Sequence, residues 1–494
     1  MLMQSALVAL AATAVGAVKP LTIQGTDFVD ADGVKFQLVG VAYQPGGSAG
    51  YDPKNGKDPL SDADTCLRDA ALLQVMGVNA IRVYNLDPNL NHDECASIFN
   101  AAGMYMILDV NSPLVGESIT SFEPWTSYYE AYSNRTFAIA EAFSGYPNTL
   151  LFFSGNEVIN DIPSAQFVPP YLRAVTRDLK NYIKKNIKRQ VPVGYSAADV
   201  RDVLWDTWNY LQCSEDGDED DMSRADVFAL NSYSWCGPDA TYHSSSFDEL
   251  TQNFKNTSVP VFFSEYGCNT PMPRYWNETQ AIYGDDMSAV FSGGVVYEYT
   301  EEENHYGLVN ISGDTLQILG DYNRLKGQLA KINWKSVQSQ KASGKGPAPP
   351  KCAPELIQEK GFDNNFTLPV PPPGVQDLID KGISPKPSGS LVKISSWDVK
   401  LAVVDSEGNK ITGLKVVPLS DDDTNWSGKN SADTGSTNST STSTSTSTST
   451  STDKSSSTPS DASKGDGNGK SGAAAWARPA VWVVALPLVA VLFA

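Results

Sequence analysis

The sequence predicts an α/β protein whose catalytic domain is a (β/α)8 TIM barrel. From residue 18 to about residue 330, short β-branched or aromatic runs alternate with longer polar stretches that are compatible with helices. This alternation is typical of βα units around a parallel sheet. Eight such runs in a segment of this size favour a closed barrel. An open doubly wound sheet is disfavoured because the sequence contains no Gly-rich phosphate-binding loop.

Eight short apolar runs are predicted to be the barrel strands. They are residues 36–44, 79–85, 105–111, 149–157, 190–196, 227–233, 259–267 and 293–300. A small hairpin with a turn at Asp32-Gly33 is predicted before the first strand. Helices are predicted between strands, for example over "DADTCLRDAALLQVMG", where apolar residues recur at helical spacing and Gly77 ends the pattern.

Both ends of the chain carry segments that we interpret as targeting signals. Residues 1–17 are uncharged and apolar and end on small residues, which predicts a secretory signal peptide although a basic n-region is missing. A buried core helix is the alternative. Residues 471–494, with the small residues before them, predict a GPI-anchor signal that is removed. A transmembrane anchor is the alternative, but the tail over 480–494 is shorter than the roughly 20 residues of a span.

Changes in composition divide the rest of the chain into three regions. Residues 18–333 form the predicted catalytic barrel. Residues 334–430 are a Pro-rich appended region with one predicted β-hairpin, too small for an independent core, which we expect Cys352 to tether to the barrel. Residues 431–470 are rich in Ser and Thr and predict a disordered, O-glycosylated stalk.

The charge balance argues against nucleic-acid binding. The chain has 37 basic and 57 acidic side chains and a formal net charge of −20, so it would repel a phosphate backbone. No obligate protein partner is evident. The three histidines are far apart in sequence and no metal-ligand spacing occurs, so we predict neither a metal nor another cofactor; the histidines are His92, His243 and His305.

Cysteines and glycosylation sequons point to the secretory pathway. Six cysteines form an even set without C-x-x-C spacing, which favours disulfides. Sequons for N-glycosylation agree with this location. They begin at Asn134, Asn256, Asn277, Asn310, Asn365, Asn425 and Asn438.

Two predicted strands deliver a glutamate at their ends. "LLFFSGNEVIN" ends the fourth strand on Asn156 and Glu157, and "VFFSEYG" ends the seventh on Glu265. Because barrel active sites are assembled from the carboxyl ends of the strands, both carboxylates are expected at one mouth. Such a pair suits glycosidic bond cleavage, in which one carboxyl protonates the leaving oxygen and the other attacks the sugar. Lysine pairing or helix capping is the alternative, and it explains a single glutamate better than two at equivalent positions.

Other strand ends carry groups that suit sugars. Tyrosine faces pack on pyranose rings, and amides or carboxylates bridge hydroxyl pairs. The candidates are Tyr43, Gln44, Tyr84, Asn85, Asp109, Asn111, Tyr233, Tyr297 and Tyr299. Tyr233 and Tyr297 are preferred because their strands neighbour the strand of Glu265, although each tyrosine alone fits a packing role equally well. Asn156 can donate to the sugar 2-hydroxyl.

With these residues the sequence resembles the fungal cell-wall β-1,3-glucanosyltransferases of glycoside hydrolase family 72. The resemblance covers nearly all of residues 20–330, and the Asn-Glu pair alone would indicate only the wider clan of retaining barrel glycosidases. The matching stretches are "GVAYQPGG", "CLRDAALLQVMGVNAIRVYNLDP", "HDECASIFNAAGMYMILDVN", "FFSGNEVIN", "NSYSWCG", "FFSEYGCN" and "FSGGVVYEY". No cysteine follows Cys352, so we place the chain in the short subgroup without a Cys-rich glucan-binding module.

The resemblance implies a role for each site residue. Glu157 would be the acid/base and Glu265 the nucleophile. The residues implied to hold donor glucan are Gln44, Tyr84, Asp109, Asn156, Tyr233 and Tyr297. The implied disulfides are Cys66 with Cys95, Cys236 with Cys268, and Cys213 with Cys352.

The expected function is the elongation of wall glucan. The enzyme would cleave a β-1,3-glucan internally and transfer the new reducing end to the non-reducing end of an acceptor glucan by retaining double displacement. It would act at the outer face of the plasma membrane through a GPI anchor, or in the cell wall. A hydrolytic endo-β-1,3-glucanase and a non-catalytic GPI-anchored wall glycoprotein are the alternatives. Aromatic residues in "SFEPWTSYYEAY" and "TPMPRYWNE" are candidates for acceptor binding, and packing explains them equally well.

Overall fold

The computed structural model describes residues 18–215, 217–218 and 220–420. The predicted signal peptide, stalk and GPI signal lie outside the described residues, as does the end of the predicted appended region. No helix within the described part of the chain combines the length and apolar character needed to span a bilayer.

A closed barrel of eight parallel strands is the centre of the fold. A hairpin of β1 (Thr22–Gln24) and β2 (Asp27–Val29) precedes it. The barrel strands are β3 Leu38–Ala42, β4 Ala80–Val83, β5 Tyr105–Asp109, β6 Thr149–Asn156, β7 Val193–Ala198, β8 Val227–Ser232, β9 Val261–Tyr266 and β10 Phe291–Val296. They pair in chain order, and β10 pairs with β3 to close the barrel. Each predicted run overlaps one of these strands, so the predicted TIM barrel is confirmed.

The chain before the barrel reverses twice. The predicted turn at Asp32-Gly33 is present, since Val29 forms an antiparallel bridge with Lys35 across it. The sequence interpretation missed the preceding reversal between β1 and β2. Gly25, with φ 61° in the left-handed region, begins that reversal. The two strands that it joins have only three residues each.

Helices connect the barrel strands and continue beyond them. They are α1 Ala63–Met76, α2 Asp93–Ala101, α3 Glu130–Ser144, α4 Ile162–Ala165, α5 Pro169–Asn186, α6 Arg201–Gln212, α7 Phe247–Phe254, α8 Glu278–Ile282, α9 Gly320–Leu329, α10 Trp334–Val337 and α11 Val375–Lys381. Helix α1 has the predicted boundaries. The Asp62 side chain accepts hydrogen bonds from the first free N–H groups, and Gly77 ends the helix at φ 88°.

Two apolar layers result from the alternation of side chains along the strands. In β5, Met106 and Leu108 belong to a large cluster that also contains the helix residues, whereas Ile107 belongs to a smaller cluster made mainly of strand residues. The larger cluster therefore lies between barrel and helices, and the smaller one fills the barrel interior. Phe28 of the hairpin joins the inner cluster and stacks edge-on against Phe262.

The appended region is attached to the outside of the barrel by pairing and by a disulfide. A four-stranded sheet is formed by β11 Val309–Ser312, β12 Thr315–Ile318, β13 Ala402–Val404 and β14 Lys410–Ile411. Strand β13 pairs in parallel with β12, and β13 and β14 form the predicted hairpin. The Cys213–Cys352 disulfide joins the end of α6 to the region. Gln74 of α1 exchanges hydrogen bonds of 2.7 and 2.9 Å with the backbone of Val417.

A glycine at the barrel seam provides a test of this closure. Gly293 of β10 has φ 89°, and a Cβ there would lie 2.1 Å from the carbonyl oxygen of Leu38 in β3. We expect Gly293→Ala to lower the free energy of unfolding by about 2–4 kcal/mol. Alanine is strained at this positive φ, and its Cβ would clash with the backbone of Leu38. Chemical denaturation of the purified protein measures this change.

Gly327 in α9 is the matched control. A Cβ at Gly327 meets nothing within 4 Å. Gly327→Ala should therefore raise the free energy of unfolding by about 0.4–1 kcal/mol, since it restricts only the unfolded chain. Equal stability of the two variants would contradict the proposed role of Gly293 in closing the barrel.

Candidate active site

Strand register places four polar residues of consecutive strands beside one another at the barrel mouth. Asn156 in β6 is opposite Ser196 in β7, and Asn231 in β8 is opposite Glu265 in β9. Ser196 donates hydrogen bonds to Asn156 Oδ1 at 2.8 Å and to Asn231 Oδ1 at 3.0 Å. Because parallel strands all point the same way, residues at their carboxyl ends share one rim. Glu157, directly after β6, lies at that rim as well.

A fully buried arginine lies beneath this rim. Arg82 of β4 donates to both carboxylate oxygens of Asp109 at 3.1 and 3.2 Å and to Glu265 Oε1 at 3.1 Å. It also donates to Asn156 Oδ1 at 2.8 Å and to Asn231 Oδ1 at 3.3 Å. Its guanidinium lies 4.4 Å from the ring centre of Tyr84. A buried cation needs such partners because burial removes its hydration.

Glu265 receives hydrogen bonds on both of its carboxylate oxygens. Tyr84 donates its hydroxyl to Oε1 at 2.9 Å, beside the bond from Arg82, and Tyr233 donates to Oε2 at 2.6 Å. Burial, followed by the negative charge of Glu265, raises the pKa of Tyr233 well above its ordinary value, so this hydroxyl stays protonated and donates. These donors hold the Glu265 side chain in one orientation and stabilise its negative charge.

Glu157 lies in a different environment at the same mouth. Its Oε1 accepts a single side-chain hydrogen bond, from Asn231 Nδ2 at 3.0 Å. Burial raises the pKa of Glu157, and the negative charge of Glu265 raises it further. Glu157 also has φ 51°, in the left-handed region, where the chain leaves β6 and turns over the rim.

The two carboxyl groups thus have complementary properties. Glu157 holds its proton to higher pH than an ordinary glutamate, as a general acid requires. Glu265 is held by three donors, as suits a carboxylate that attacks a carbon and becomes an ester. Asn231 and Arg82 connect the two through a short chain of hydrogen bonds. The arrangement is chemically suited to double displacement at a glycosidic carbon.

Of the remaining candidates, Tyr43 and Tyr299 lie in the layer between barrel and helices, where both hydroxyls donate to Asp69 of α1. Asn111 is held by Ser154 and by Tyr132 of α3.

Three other predicted site residues lie at strand ends near the pair. Asn156 Oδ1 accepts from Arg82, Ser196 and Asn231, which fixes the orientation of its amide. Gln44 is buried just after β3. Both oxygens of Asp109 accept from Arg82, and burial raises the pKa of Asp109. Asp109 therefore acts on the site through the guanidinium that it orients.

Tyrosine rings form one wall of the site. The ring centres of Tyr233 and Tyr297 are 6.2 Å apart and perpendicular, and Tyr306 lies 5.6 and 5.4 Å from them. The Cys236–Cys268 disulfide joins the loop after β8, which begins with Tyr233, to the loop after β9, the strand that contains Glu265. The cysteines pair as Cys66–Cys95, Cys213–Cys352 and Cys236–Cys268, the pairing that the resemblance implies.

Sequence reasoning missed several residues of this network. Arg82 had a usable signal, because it is a charged residue inside the apolar run "NAIRVYN". Asn231 also had one, since it ends the strand "VFALNSY". Ser264, which donates to Asn231 Oδ1 at 2.8 Å, had no such signal, and neither had Ser196 or Tyr306, because serine and tyrosine occur as readily in packing roles. Within the described residues, no group of three or more His, Cys, Asp or Glu side chains is arranged to hold a metal ion.

Comparison with protein families gives a match that spans all eight barrel strands. The model of glycoside hydrolase family 72, described as "Glucanosyltransferase", matches residues 10–333. The chain is 51% identical over 435 residues to the 1,3-beta-glucanosyltransferase gel2 of Aspergillus fumigatus, covering 88% of this chain and 89% of that protein. It is 38% identical to the 1,3-beta-glucanosyltransferase GAS4 of Saccharomyces cerevisiae, covering 81% and 84%.

Solved structures of a yeast relative share the fold. A mutant of Saccharomyces cerevisiae Gas2p in complex with laminaritetraose and laminaripentaose aligns with a TM-score of 0.62 and 35% identity, over 72% of this chain and 75% of that one. A structure of ScGas2 in complex with a small compound aligns with a TM-score of 0.63 and 36% identity, over 73% and 78%.

The electrostatic coupling of the two glutamates is open to measurement. Glu265→Gln removes the negative charge that raises the pKa of Glu157, so we expect that pKa to fall toward the ordinary range while burial keeps it elevated. Titration of the Glu157 carboxyl by carbon-13 NMR, in the variant and the unmodified protein, gives the shift.

Glu249→Gln is the control for this titration. Glu249 lies in α7 with an exposed side chain, and it forms its ion pair with Arg201. Its removal should leave the pKa of Glu157 unchanged. An unchanged Glu157 pKa in Glu265→Gln as well would show that the two carboxyl groups are not coupled.

Proposed function

The chain belongs to the glucanosyltransferases of glycoside hydrolase family 72, and we propose that Glu157 and Glu265 break and re-form a β-1,3 bond of glucan. Its activity is that of a 1,3-β-glucanosyltransferase, as in the relative gel2. The observation that carries the proposed mechanism is the contrast between the two carboxyl groups. Three donors hold Glu265, whereas burial and the negative charge of Glu265 raise the pKa of Glu157.

In the first step the donor chain is cleaved. The Glu265 carboxylate attacks the anomeric carbon, the bond to the leaving oxygen breaks, and Glu157 gives that oxygen its proton. The part of the donor with the old reducing end departs, and the other part remains as an ester on Glu265. In the ester, Oε1 no longer carries the negative charge that accepts hydrogen bonds from Arg82 and Tyr84. The loss of these charge-assisted bonds favours breakdown of the ester to the carboxylate in the second step.

In the second step the chain is rebuilt on an acceptor. Glu157, now ionised, takes the proton of the 3-hydroxyl at the non-reducing end of a second glucan. That oxygen attacks the anomeric carbon, and Glu265 leaves as a carboxylate. Two inversions give net retention, so the new bond is again β-1,3. One chain is lengthened and no activated sugar is consumed.

We assign supporting roles to the residues around the pair. The orientation of Asn156, fixed by three donors on Oδ1, leaves its Nδ2 group to donate to the sugar 2-hydroxyl. The rings of Tyr233 and Tyr297 provide an apolar wall for a pyranose. Gln44 is assigned to a sugar hydroxyl. Asp109 and Tyr84 position Arg82 and Glu265.

The products formed from reduced laminari-oligosaccharides test the reaction. Chains longer than the substrate indicate transfer, whereas shorter chains alone indicate a hydrolytic endo-β-1,3-glucanase. We expect longer chains, and we expect Glu265→Gln to lose at least about a thousandfold in rate, which corresponds to about 4 kcal/mol of transition-state stabilisation. Chromatography of the products measures both quantities.

Two further variants complete this test. Glu157→Gln should also lose activity, because it can neither donate nor accept the proton at the leaving oxygen. Glu249→Gln, at an exposed position in α7, should react at the unmodified rate. Full activity of Glu265→Gln would show that Glu265 is not the nucleophile, and no conversion by the unmodified protein would support a non-catalytic wall glycoprotein instead.

We propose that the protein acts outside the cell, attached to the plasma membrane by a GPI anchor or passed on to the wall. Three disulfides within the described residues and the fungal glucanosyltransferase relatives support an extracellular or cell-wall role. The small residues and apolar tail near 471–494 support the anchor.

Phospholipase treatment of intact cells tests the anchor. Phosphatidylinositol-specific phospholipase C should release the protein into the medium, because it cleaves the lipid and leaves the polypeptide intact. A variant lacking residues 480–494 should appear in the medium without treatment. Retention of the full-length protein on treated membranes, after release of a known GPI-anchored protein from the same cells, would instead indicate a transmembrane anchor.

A further inference from the structure

Exposed apolar side chains are concentrated on one face of the barrel. Nine large hydrophobic side chains of the described residues are exposed, and eight of them lie on loops that follow strands β5, β6 and β9. These eight are Leu114, Val115, Phe122, Trp125, Tyr129, Phe167, Met272 and Tyr275. The other is Val370, in the appended region. Single exposed apolar residues are ordinary on a protein surface, but this clustering indicates a contact surface.

The largest group lies on the loops after β5 and β6. We call Phe122, Trp125 and Phe167 the aromatic platform. Phe122 is 74% exposed and Trp125 is 49% exposed, and the Trp125 ring meets the Phe167 ring edge-on at 5.9 Å. This contact joins two loops from neighbouring strands. The rings of Trp125 and Phe167 are therefore in contact across the two loops, and Phe122 lies on the same loop as Trp125.

The loop that carries most of the platform is held in place by its own polar contacts. Glu117 pairs with Arg135 of α3 at 2.7 Å and accepts from Ser112 at 2.5 Å. Buried Tyr128 donates its hydroxyl to Asp178 of α5. A surface that is already ordered loses little conformational entropy when a ligand binds.

The charge of these loops limits what they can bind. Residues 110–129 and 157–168 contain no Lys, Arg or His. Of their four carboxyl groups, Glu117 is paired with Arg135 and Glu157 has a raised pKa, which leaves Glu123 and Asp161 as the negative charges of these loops. An anionic lipid surface or nucleic acid would be repelled. A neutral polysaccharide is not repelled, and the apolar faces of its sugar rings stack on aromatic side chains.

The platform is also continuous with the candidate active site along the chain. The loop with Phe122 and Trp125 begins directly after Asp109 of β5, which orients Arg82. The segment with Phe167 begins at Glu157. Both loops of the platform therefore begin at the ends of strands that carry residues of the site.

We propose that the aromatic platform binds a segment of β-1,3-glucan remote from the bond that is cleaved, so that long chains are held better than short ones. This inference rests on the proposed function for its ligand. It assigns to Phe122, Trp125 and Phe167 a binding role that the carboxylate chemistry does not require. The platform keeps the glucan bound during the interval between formation of the ester on Glu265 and attack by the acceptor.

Sedimentation with insoluble linear β-1,3-glucan tests the platform directly, using the full-length secreted protein. We expect Trp125→Ala to weaken binding at least about tenfold, as is usual for the loss of a central aromatic contact. Phe122→Ala is a second variant, at a more exposed position that tolerates truncation. Val370→Ala is the matched control, because Val370 is 81% exposed and lies away from these loops, and it should bind like the unmodified protein.

Transfer kinetics separate this inference from the proposed function. The ratio of KM for a short laminari-oligosaccharide to KM for a long soluble β-1,3-glucan should fall about tenfold in Trp125→Ala. An unchanged ratio and unchanged sedimentation would overturn the platform and leave the transferase activity standing. Trp125-dependent sedimentation without chain elongation would support the platform and overturn the transferase activity. If the protein instead binds anionic lipid vesicles and not glucan, and if this binding is lost in Trp125→Ala, the proposed glucan-binding role of the platform is wrong.

Discussion

The buried guanidinium of Arg82 is the interaction on which the geometry of the site depends. It lies in the floor of the barrel mouth and contacts side chains from β5, β6, β8 and β9. A cation in this position is tolerated only because Asp109 and Glu265 supply opposite charge and the amides fill its remaining donors. Loss of Asp109 or Glu265 removes negative charge from beside a fully buried cation. The same contacts therefore hold the strand ends together and orient the nucleophile.

The difference between the two carboxyl groups follows from this arrangement. Glu265 faces Arg82 and two tyrosine hydroxyls, whereas Glu157 stands above the network and receives one amide hydrogen bond. Burial and the charge of Glu265 then raise the pKa of Glu157. The left-handed backbone at Glu157 costs about 1 kcal/mol and is the kind of local strain found where a side chain must point in a required direction. The carboxyl end of β6 thus carries the proposed acid, Glu157. Arg82, Tyr84 and Tyr233 donate hydrogen bonds to the proposed nucleophile, Glu265.

The barrel scaffold separates stability from recognition. Apolar residues fill the interior and the layer beneath the helices, and the appended region is fixed to the outside by β13 and the Cys213–Cys352 disulfide. The loops after β5, β6 and β9 carry eight of the nine large hydrophobic side chains that are exposed among the described residues. Rigid strands position the two glutamates, and the loops offer sugar-binding surface around them. Because different residues carry these two roles, substitutions on the loops can change the preference for glucan length without changing the two glutamates.

The amino-acid sequence by itself determined the eight barrel strands, their order and the position of Glu157 and Glu265 at strand ends. These features are local, because side-chain alternation and short apolar runs fix a strand and the rule for parallel barrels fixes which end carries the site. It did not determine that Asp109 accepts from Arg82, or the contacts of Asn231, Ser196 and Tyr306. Those contacts join residues far apart in the chain, and strand register and side-chain direction decide them only once the barrel has closed. The raised pKa of Glu157 is likewise a tertiary property, since it arises from burial and from the neighbouring charge of Glu265.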